Sequence, residues 1–168
     1  MRTRPCNNTR QTIREPYSAA IPRHSPASEP TPLFRVTQEI EFCYGHRLLN
    51  YDGKCRHLHG HNARAIIVLE GEKLDERGML IDFSDIKREL RTWIDEHLDH
   101  RMILCDRDPV VAMLQKSGEQ LYLIDSNPTA ENIARLICEQ AQQRKMPVVE
   151  VSLWETPRSC ATYRPEQS

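Results

Sequence analysis

The sequence lacks a strong charge imbalance, a long apolar run and a cysteine pattern typical of disulfide-rich proteins. Its 168 residues carry a formal net charge of −1 and a pI of about 6.7, which gives no reason to expect nucleic acid or an anionic membrane as a partner. No run of about eighteen apolar residues occurs, so we expect no transmembrane helix. The 6 cysteines show no close pairing, and no secretory signal precedes them. We therefore expect a reduced, cytoplasmic chain.

The first 32 residues differ in composition from the rest. They hold six of the 11 prolines and few large apolar side chains, so they cannot bury enough surface to offset the entropy lost on ordering. Five arginines against two glutamates give this arm a net charge of +3 and leave −4 on residues 33–168. We expect residues 1–32 to be a disordered or loosely docked arm and residues 33–168 to form one domain. A transit peptide is the alternative for the arm, although its prolines would break an amphipathic helix.

Residues 33–168 predict an α+β domain in the order strand, strand, helix, helix, strand, strand. Apolar residues alternate along a first strand, Phe34 to Cys43, and β-branched residues mark a second, Asn62 to Glu70. Helical spacing predicts one helix capped by Asp82 or Ser84. A second helix is predicted to open at Asn127, an N-cap residue followed by proline in the first turn.

The connection between the helices and the last strands completes the prediction. Residues 101–126 are long for a connection, and we predict a short helix at Val110–Leu114 and an edge strand at Leu121–Ile124. The two-residue period of the following strand places four side chains on one face: Val149, Val151, Leu153 and Glu155. Glu155 either marks a strand end that has reached solvent or lies in a pocket, where its carboxylate can accept two N–H bonds from a guanine or pterin edge.

Metal-binding side chains are concentrated between positions 46 and 61. His59 and His61 alternate at the start of the second strand, so they point to one face and can chelate one ion. His46 completes a three-histidine set that leaves a position open, as catalytic zinc sites do, and the all-imidazole set favours zinc over iron or copper. Taken singly, each is better explained as a surface histidine near a turn, because single histidines are seldom ligands, but their joint spacing favours a metal site. Three interpretations are open for Cys55: it is a fourth metal ligand, it is a thiolate held beside the metal, or it is a small buried apolar residue.

Asp99 and His100 are adjacent at the end of the first predicted helix. An aspartate next to a histidine can stabilise the imidazolium or fix its tautomer, or it can be a plain helix-end pair. The dipeptide alone does not decide between these interpretations.

Six sequence motifs follow one another along nearly all of residues 34–164. They are Phe42-x-x-x-His46-Arg47-Leu48, Lys54-Cys55-x-x-Leu58-His59-Gly60-His61, Gly78-Met79-x-x-Asp82-Phe83, Leu98-Asp99-His100, Asn127-Pro128-Thr129-x-Glu131-Asn132, and Glu155-Thr156 followed by Ala161-x-Tyr163. In this order and with these gaps, the set resembles the 6-pyruvoyltetrahydropterin synthase and 6-carboxytetrahydropterin synthase family. The residues before His46, Cys43-Tyr44-Gly45, depart from the small residues usual in that family and bear on the shape of the pocket.

The resemblance implies a T-fold, a ββααββ subunit whose strands assemble with those of neighbours into a barrel. Such subunits commonly form a hexamer of two trimers with active sites between subunits. By matching position, it implies that the zinc ligands are His46, His59 and His61 and that the proton acceptor is Cys55. It implies a relay formed by Asp99 and His100, and a pterin anchor, Glu155, that couples to this relay. It also implies that the pterin end of the pocket is lined by Thr129 and Glu131.

The resemblance also implies a zinc-dependent lyase that acts on 7,8-dihydroneopterin triphosphate. The spacing Cys55-x-x-x-His59-x-His61 is more similar to the branch that forms 6-carboxy-5,6,7,8-tetrahydropterin, acetaldehyde and triphosphate on the route to queuosine and other 7-deazaguanines. The alternatives are a 6-pyruvoyltetrahydropterin synthase of tetrahydrobiopterin synthesis, an enzyme acting on dihydroneopterin without its phosphates, and a non-catalytic zinc-binding module. The presence of Cys55, His100 and Glu155 together argues against the non-catalytic module.

Overall fold

A six-stranded sheet with helices packed on one face forms the domain, in a computed structural model that describes residues 33–166. The strands are β1 Phe34–His46, β2 His59–Gly71, β3 Arg101–Cys105, β4 Leu121–Ile124, β5 Val148–Thr156 and β6 Ser159–Tyr163, in the spatial order β4-β3-β1-β2-β5-β6. The helices are α1 Phe83–Ile86, α2 Thr92–His97, α3 Val110–Lys116 and α4 Ala130–Gln143. The predicted arm, residues 1–32, lies outside the described residues.

The predicted α+β class and the order of the main elements are confirmed. The short helix and the edge strand expected in the long connection are also present as α3 and β4, and β4 ends the sheet. The prediction missed β3, which follows α2 directly and pairs in parallel with the end of β1, with Tyr44 opposite Arg101. The connection therefore adds two parallel strands beside the end of β1.

Strands β1 and β2 form a long antiparallel pair that carries the histidines. Residues Phe42, Tyr44 and His46 alternate inward on β1, and His46 pairs directly with His59 on β2. Both strands are longer than predicted: β1 continues to His46, and β2 starts at His59. The sequence prediction stopped where the apolar pattern stops, whereas backbone pairing continues past it into polar residues.

One helix is built from α1, a π-helical segment Lys87–Arg91 and α2, which follow one another without interruption. Asp82 is the N-cap, since its Oδ1 accepts a hydrogen bond from the Ser84 amide at 2.8 Å. The fully buried side chains of this helix are Ile86, Leu90, Ile94 and Leu98. They pack with inward residues of the sheet and of α4 into one apolar core.

The start of α4 corrects one prediction. Thr129, not Asn127, is the N-cap residue, and its hydroxyl accepts a hydrogen bond from the Asn132 amide at 3.4 Å. The Asn127 side chain is engaged elsewhere: it accepts from the Leu49 amide at 2.7 Å and donates to the Leu49 carbonyl at 3.0 Å. It thereby ties the segment after β1 to the beginning of α4.

On β5, the prediction that Val149 shares one face with Val151 and Leu153 is wrong. Its pairing with β2 shifts at Val68/Leu69, so Val148 rather than Val149 is buried in the core with Val151 and Leu153. The pairing of β5 with β6 shifts again between Trp154 and Thr156, at the position of Glu155. Such irregularities re-aim side chains and are frequent beside functional sites. No helix within residues 33–166 is long and apolar enough to cross a membrane.

Candidate functional site

Three histidine side chains converge where β1 and β2 meet. Each of His46, His59 and His61 offers a ring nitrogen within 4.8 Å of the other two. The His46 side chain is buried, and those of His59 and His61 are partly exposed to an open cleft of about 590 Å³. The predicted convergence of the three side chains follows from the antiparallel pair, because His46 faces His59 and His61 lies two residues further along the same face.

Hydrogen bonds at Nδ1 orient the rings of His46 and His59 so that their Nε2 atoms face each other. His46 Nδ1 lies 2.7 Å from the Pro128 carbonyl oxygen, and His59 Nδ1 lies 2.8 Å from the His57 carbonyl oxygen, so both Nδ1 atoms carry a proton and donate it. Burial lowers the pKa of His46, which favours its neutral form. When both rings are neutral, the two Nε2 atoms are acceptors, and they lie 3.0 Å apart.

A cation between the two Nε2 atoms would stabilise this arrangement. Two facing lone pairs at 3.0 Å repel each other unless a positive centre lies between them. Ring nitrogens at zinc–nitrogen distances of about 2.0–2.1 Å in a tetrahedral site stand roughly 3.3 Å apart. Carbonyl oxygens that hold Nδ1–H and leave Nε2 for the metal are the usual outer partners of metal-binding histidines. The three side chains therefore fit a zinc ion without large movement.

Glu155 and Tyr44 lie beside the histidines. The Glu155 carboxylate oxygens are each 3.9 Å from a histidine nitrogen, Oε1 from His46 Nε2 and Oε2 from His61 Nε2. The Tyr44 hydroxyl donates a 2.7 Å hydrogen bond to Glu155 Oε1, and Tyr44 is 3% exposed. Burial and the charge of Glu155 raise the pKa of Tyr44, so its hydroxyl keeps its proton.

Tyr44 is a site residue whose role sequence reasoning missed. The sequence shows that Cys43-Tyr44-Gly45 departs from the small residues usual before this histidine, but it predicts no role for Tyr44. The available signal was the two-residue period, because Tyr44 alternates with Phe42 and His46 and so faces the same side of β1. Its position opposite His61 in the register places the ring against the histidine set.

Asp99 and His100 form a separate corner after α2. His100 Nδ1 lies 2.8 Å from Asp99 Oδ2, and the Cys43 amide donates to Asp99 Oδ1 at 2.8 Å. Burial opposes the ionisation of Asp99, but these hydrogen bonds outweigh it and lower its pKa. The charged carboxylate thus holds the ring by Nδ1, as expected of an Asp–His pair.

The structure separates Cys55 from both groups within one chain. Cys55 lies in a 3₁₀ turn, Lys54–Arg56, between β1 and β2, and its carbonyl accepts a hydrogen bond from the Leu48 amide at 2.9 Å. Among residues 33–166, the groups of three or more metal-binding side chains within 4.8 Å do not include Cys55. Cys55 is therefore no fourth member of the histidine set, and the thiol next to Asp99 and His100 is that of Cys43.

Thr129 and Glu131 lie at the start of α4, next to the carbonyl that orients His46. Thr129 caps the helix, and Glu131 is exposed in its first turn. Pro128, which receives the His46 Nδ1 hydrogen bond, precedes both residues. The start of α4 thus links the histidine set to the two residues for which sequence matching implies a place in the pterin pocket.

An ion pair supports the chain just after His46. Arg47 makes a two-point contact with Asp108, through Nε to Oδ2 at 2.7 Å and through Nη2 to Oδ1. The Asp108 side chain is fully buried and also accepts from the Val110 amide at 2.9 Å, at the start of α3. The hydrogen bond from Arg47 lowers the pKa of Asp108. The connection 101–126 therefore fixes the backbone that carries His46.

Comparison with known proteins identifies relatives over nearly all the described residues. The family model described as 6-pyruvoyl tetrahydropterin synthase matches residues 35–166. A protein of Rickettsia bellii named 6-carboxy-5,6,7,8-tetrahydropterin synthase is 36% identical over 132 residues, which are 74% of this chain and 96% of that protein. A protein of the same name from Haemophilus influenzae is 31% identical over 140 residues, 79% of this chain and 99% of its own length.

Solved structures share the architecture. An uncharacterized Wolinella succinogenes protein superposes with a TM-score of 0.66 at 29% identity, over 80% of this chain and 99% of that one. The 6-pyruvoyl tetrahydropterin synthase of Caenorhabditis elegans superposes with a TM-score of 0.62 at 25% identity, over 81% of this chain and 98% of that one.

Proposed function

Because the chain belongs to the 6-pyruvoyl tetrahydropterin synthase family and has its T-fold, we propose that it is a 6-carboxy-5,6,7,8-tetrahydropterin synthase. The reaction converts 7,8-dihydroneopterin triphosphate and water into 6-carboxy-5,6,7,8-tetrahydropterin, acetaldehyde and triphosphate, on the route to queuosine and other 7-deazaguanines. The observation that carries the proposal is the histidine set, in which the Nε2 atoms of His46 and His59 lie 3.0 Å apart. This set is what a reaction at an oxygen-rich side chain requires.

His46, His59 and His61 would hold zinc and leave one position open to the substrate. When bound, zinc supplies a Lewis acid that draws electron density from the side-chain hydroxyls of the substrate and acidifies neighbouring C–H bonds. The Pro128 and His57 carbonyls keep two of the rings in the tautomer that this task needs.

Proton transfer falls to Cys55 and to the Asp99–His100 pair. The Cys55 thiolate would accept the carbon-bound proton, and His100, oriented by Asp99, would give or take protons at the side-chain oxygens. Cys55 does not join the Asp99–His100 pair within one chain. We therefore infer that a neighbouring subunit completes the site, in a homo-oligomer that we propose to be a hexamer of two trimers.

Pterin binding falls to the carboxylates around the histidines. Glu155 Oε1 is held by Tyr44, and its Oε2 receives no hydrogen bond within residues 33–166, so it can accept an N–H of the pterin. Thr129 and Glu131 would line the far end of the ring pocket from the start of α4. Glu155 then links the position of the pterin ring to the histidine set.

The test is a product assay. The purified protein, loaded with zinc, is incubated with 7,8-dihydroneopterin triphosphate, and the products are identified by mass. We expect 6-carboxy-5,6,7,8-tetrahydropterin together with acetaldehyde. A pyruvoyl product would place the chain in the alternative branch, as the structural similarity to the Caenorhabditis elegans enzyme allows. Turnover of dihydroneopterin without phosphates, or no turnover of either compound, would contradict the proposal.

Variants separate the metal from the base. We expect close to one zinc per chain at the histidine set, and we expect His59→Ala to lose most of it, because it removes one of three donors. Cys55→Ala should retain zinc and lose turnover by about a hundredfold or more, a typical loss for a proton-transfer group. Loss of zinc in Cys55→Ala would show instead that the thiol is a metal ligand.

A further inference from the structure

A second group of metal-binding side chains lies outside the histidine set. Cys43, Asp99 and His100 each offer one donor atom, a thiol, a carboxylate oxygen and a ring nitrogen, and the three atoms lie within 4.8 Å of one another. From this geometry we propose a second zinc site, formed by Cys43, Asp99 and His100 of one chain, whose occupancy inhibits the enzyme.

The backbone holds these three residues together independently of any ligand. Asp99 Oδ1 accepts from the Cys43 amide at 2.8 Å, and the His100 amide donates to the Cys43 carbonyl at 2.7 Å. His100 has a φ of 55°, a left-handed conformation that a residue with a side chain adopts at some cost. The chain thus turns sharply to bring His100 back to Cys43.

The donor set suits zinc. One thiolate, one imidazole and one carboxylate are all common zinc ligands, and in a tetrahedral site their donor atoms stand about 3.3–3.7 Å apart. Asp99 and His100 already place a carboxylate oxygen and a ring nitrogen 2.8 Å apart, and the His100 side chain is 79% exposed, so it can rotate by the small amount required. Water would complete the coordination.

The charges around the corner are mixed, because Arg101 follows His100 and lines the neighbouring cleft with Cys43 and His100, and Arg64 lies on the other side. Arg64 lines the same open surface, but its guanidinium lies 3.7 Å from Glu39 and 5.4 Å from the centre of the Trp154 ring. Glu41 lies on the same surface and adds negative charge. A divalent ion bound to Cys43 and Asp99 would neutralise the thiolate and the carboxylate.

Inhibition follows if the proposed function holds, and this part of the inference rests on it. A zinc ion on Cys43, Asp99 and His100 would occupy the ring and the carboxylate that we assign to proton transfer. Activity should therefore rise as the histidine set fills and fall as zinc exceeds one equivalent per chain. In Cys43→Ser, which keeps the backbone contacts but replaces the thiolate, the fall should need at least a tenfold higher zinc concentration.

Cobalt provides a readout that does not depend on activity. The full chain, stripped of metal, is titrated with Co²⁺, and sulfur-to-cobalt charge-transfer absorption is measured; a site of histidines alone does not give this band. We expect the band in the unchanged protein, in His59→Ala, in Cys55→Ser and in the exposed-cysteine control Cys160→Ser. We expect it to be lost in Cys43→Ser.

The outcomes distinguish this site from the proposed function. A band that persists in Cys43→Ser, or its absence from the unchanged protein, would overturn the second site whatever the product assay gives. Its loss only in Cys55→Ser would assign the thiolate to the other cysteine and overturn it as well. A band confined to proteins with Cys43, seen also in His59→Ala, supports the second site even if no pterin is turned over.

Discussion

The hydrogen bond between Tyr44 and Glu155 provides a direct test of how the site is held. Tyr44→Phe removes one hydroxyl and keeps the ring, which is 3% exposed and packs edge-on against His46. The substitution leaves Glu155 Oε1 without its 2.7 Å donor and changes little else. We expect Tyr44→Phe to destabilise the metal-free protein.

The magnitude follows from the burial of the two partners. Hydrogen bonds to a charged group contribute about 1.5–3 kcal/mol when both partners are buried. The Glu155 side chain is 20% exposed, so water can replace part of the lost interaction. We therefore expect the free energy of unfolding to fall by about 1–2 kcal/mol, close to or just below the lower end of that range.

The assay is urea unfolding of metal-free protein at neutral pH and fixed chain concentration. The midpoint should fall while the slope with urea stays the same, because the surface exposed on unfolding is nearly unchanged. Tyr51→Phe is the matched control: Tyr51 is 49% exposed, and its loss should cost less than about 0.5 kcal/mol. Equal losses in the two variants would refute the reasoning that the Tyr44 hydroxyl supports the partly buried Glu155 carboxylate.

Three further predictions concern pH, the connection and the arm. Asp108→Ala should lower stability by about 3 kcal/mol because it strands Arg47, whereas the exposed neighbour Asp106→Ala should cost under about 0.5 kcal/mol in the same urea assay. Because folding lowers the pKa of Asp108, its contribution to the free energy of unfolding is complete above its unfolded pKa of about 3.9 and is lost as the pH falls through the folded value. The difference in the free energy of unfolding between the unchanged protein and Asp108→Asn, measured from about pH 7 to about pH 2, should therefore shrink only below about pH 4. Deleting residues 1–32 should leave oligomer, zinc content and turnover unchanged, as sedimentation and the product assay can show; dissociation into inactive species would indicate that the +3 arm holds subunits together.

The convergence of the three histidines was predictable because their positions follow the two-residue period of a strand. His59 and His61 alternate on one strand, and any strand pairing that brings His46 alongside completes the set. The carbonyl partners were not predictable. Pro128 lies far from His46 in sequence and reaches it only through the packing of α4, which no local pattern encodes.

The missed features arise where strand pairing is irregular or non-local. The prediction that Val149 lies on the buried face of β5 was wrong, because the pairing of β5 with β2 shifts by one residue and buries Val148 instead. A single extra residue in a strand moves every residue before it to the opposite face. The approach of Cys43 to Asp99 depends on parallel pairing of β3 with β1, a contact between segments 56 residues apart. Asn127 was predicted to be a helix cap because no local pattern indicates its actual partner, Leu49, which lies 78 residues away in the sequence.

The π-helical turn at Lys87–Arg91 has a consequence for the length of the helix that carries it. The buried residues before and after it are spaced by four, Ile86, Leu90, Ile94 and Leu98, and in a regular α-helix each such step drifts by about 40° around the axis. The wider turn absorbs part of that drift and sets the angle at which the helix delivers Asp99 to the end of β1. A deletion of one exposed residue in this turn, such as Arg88, would rotate everything after it by about 100° relative to the residues before it. The number of residues between Ile86 and Asp99 therefore determines the geometry of the Asp99–His100 pair as much as the identity of the aspartate does.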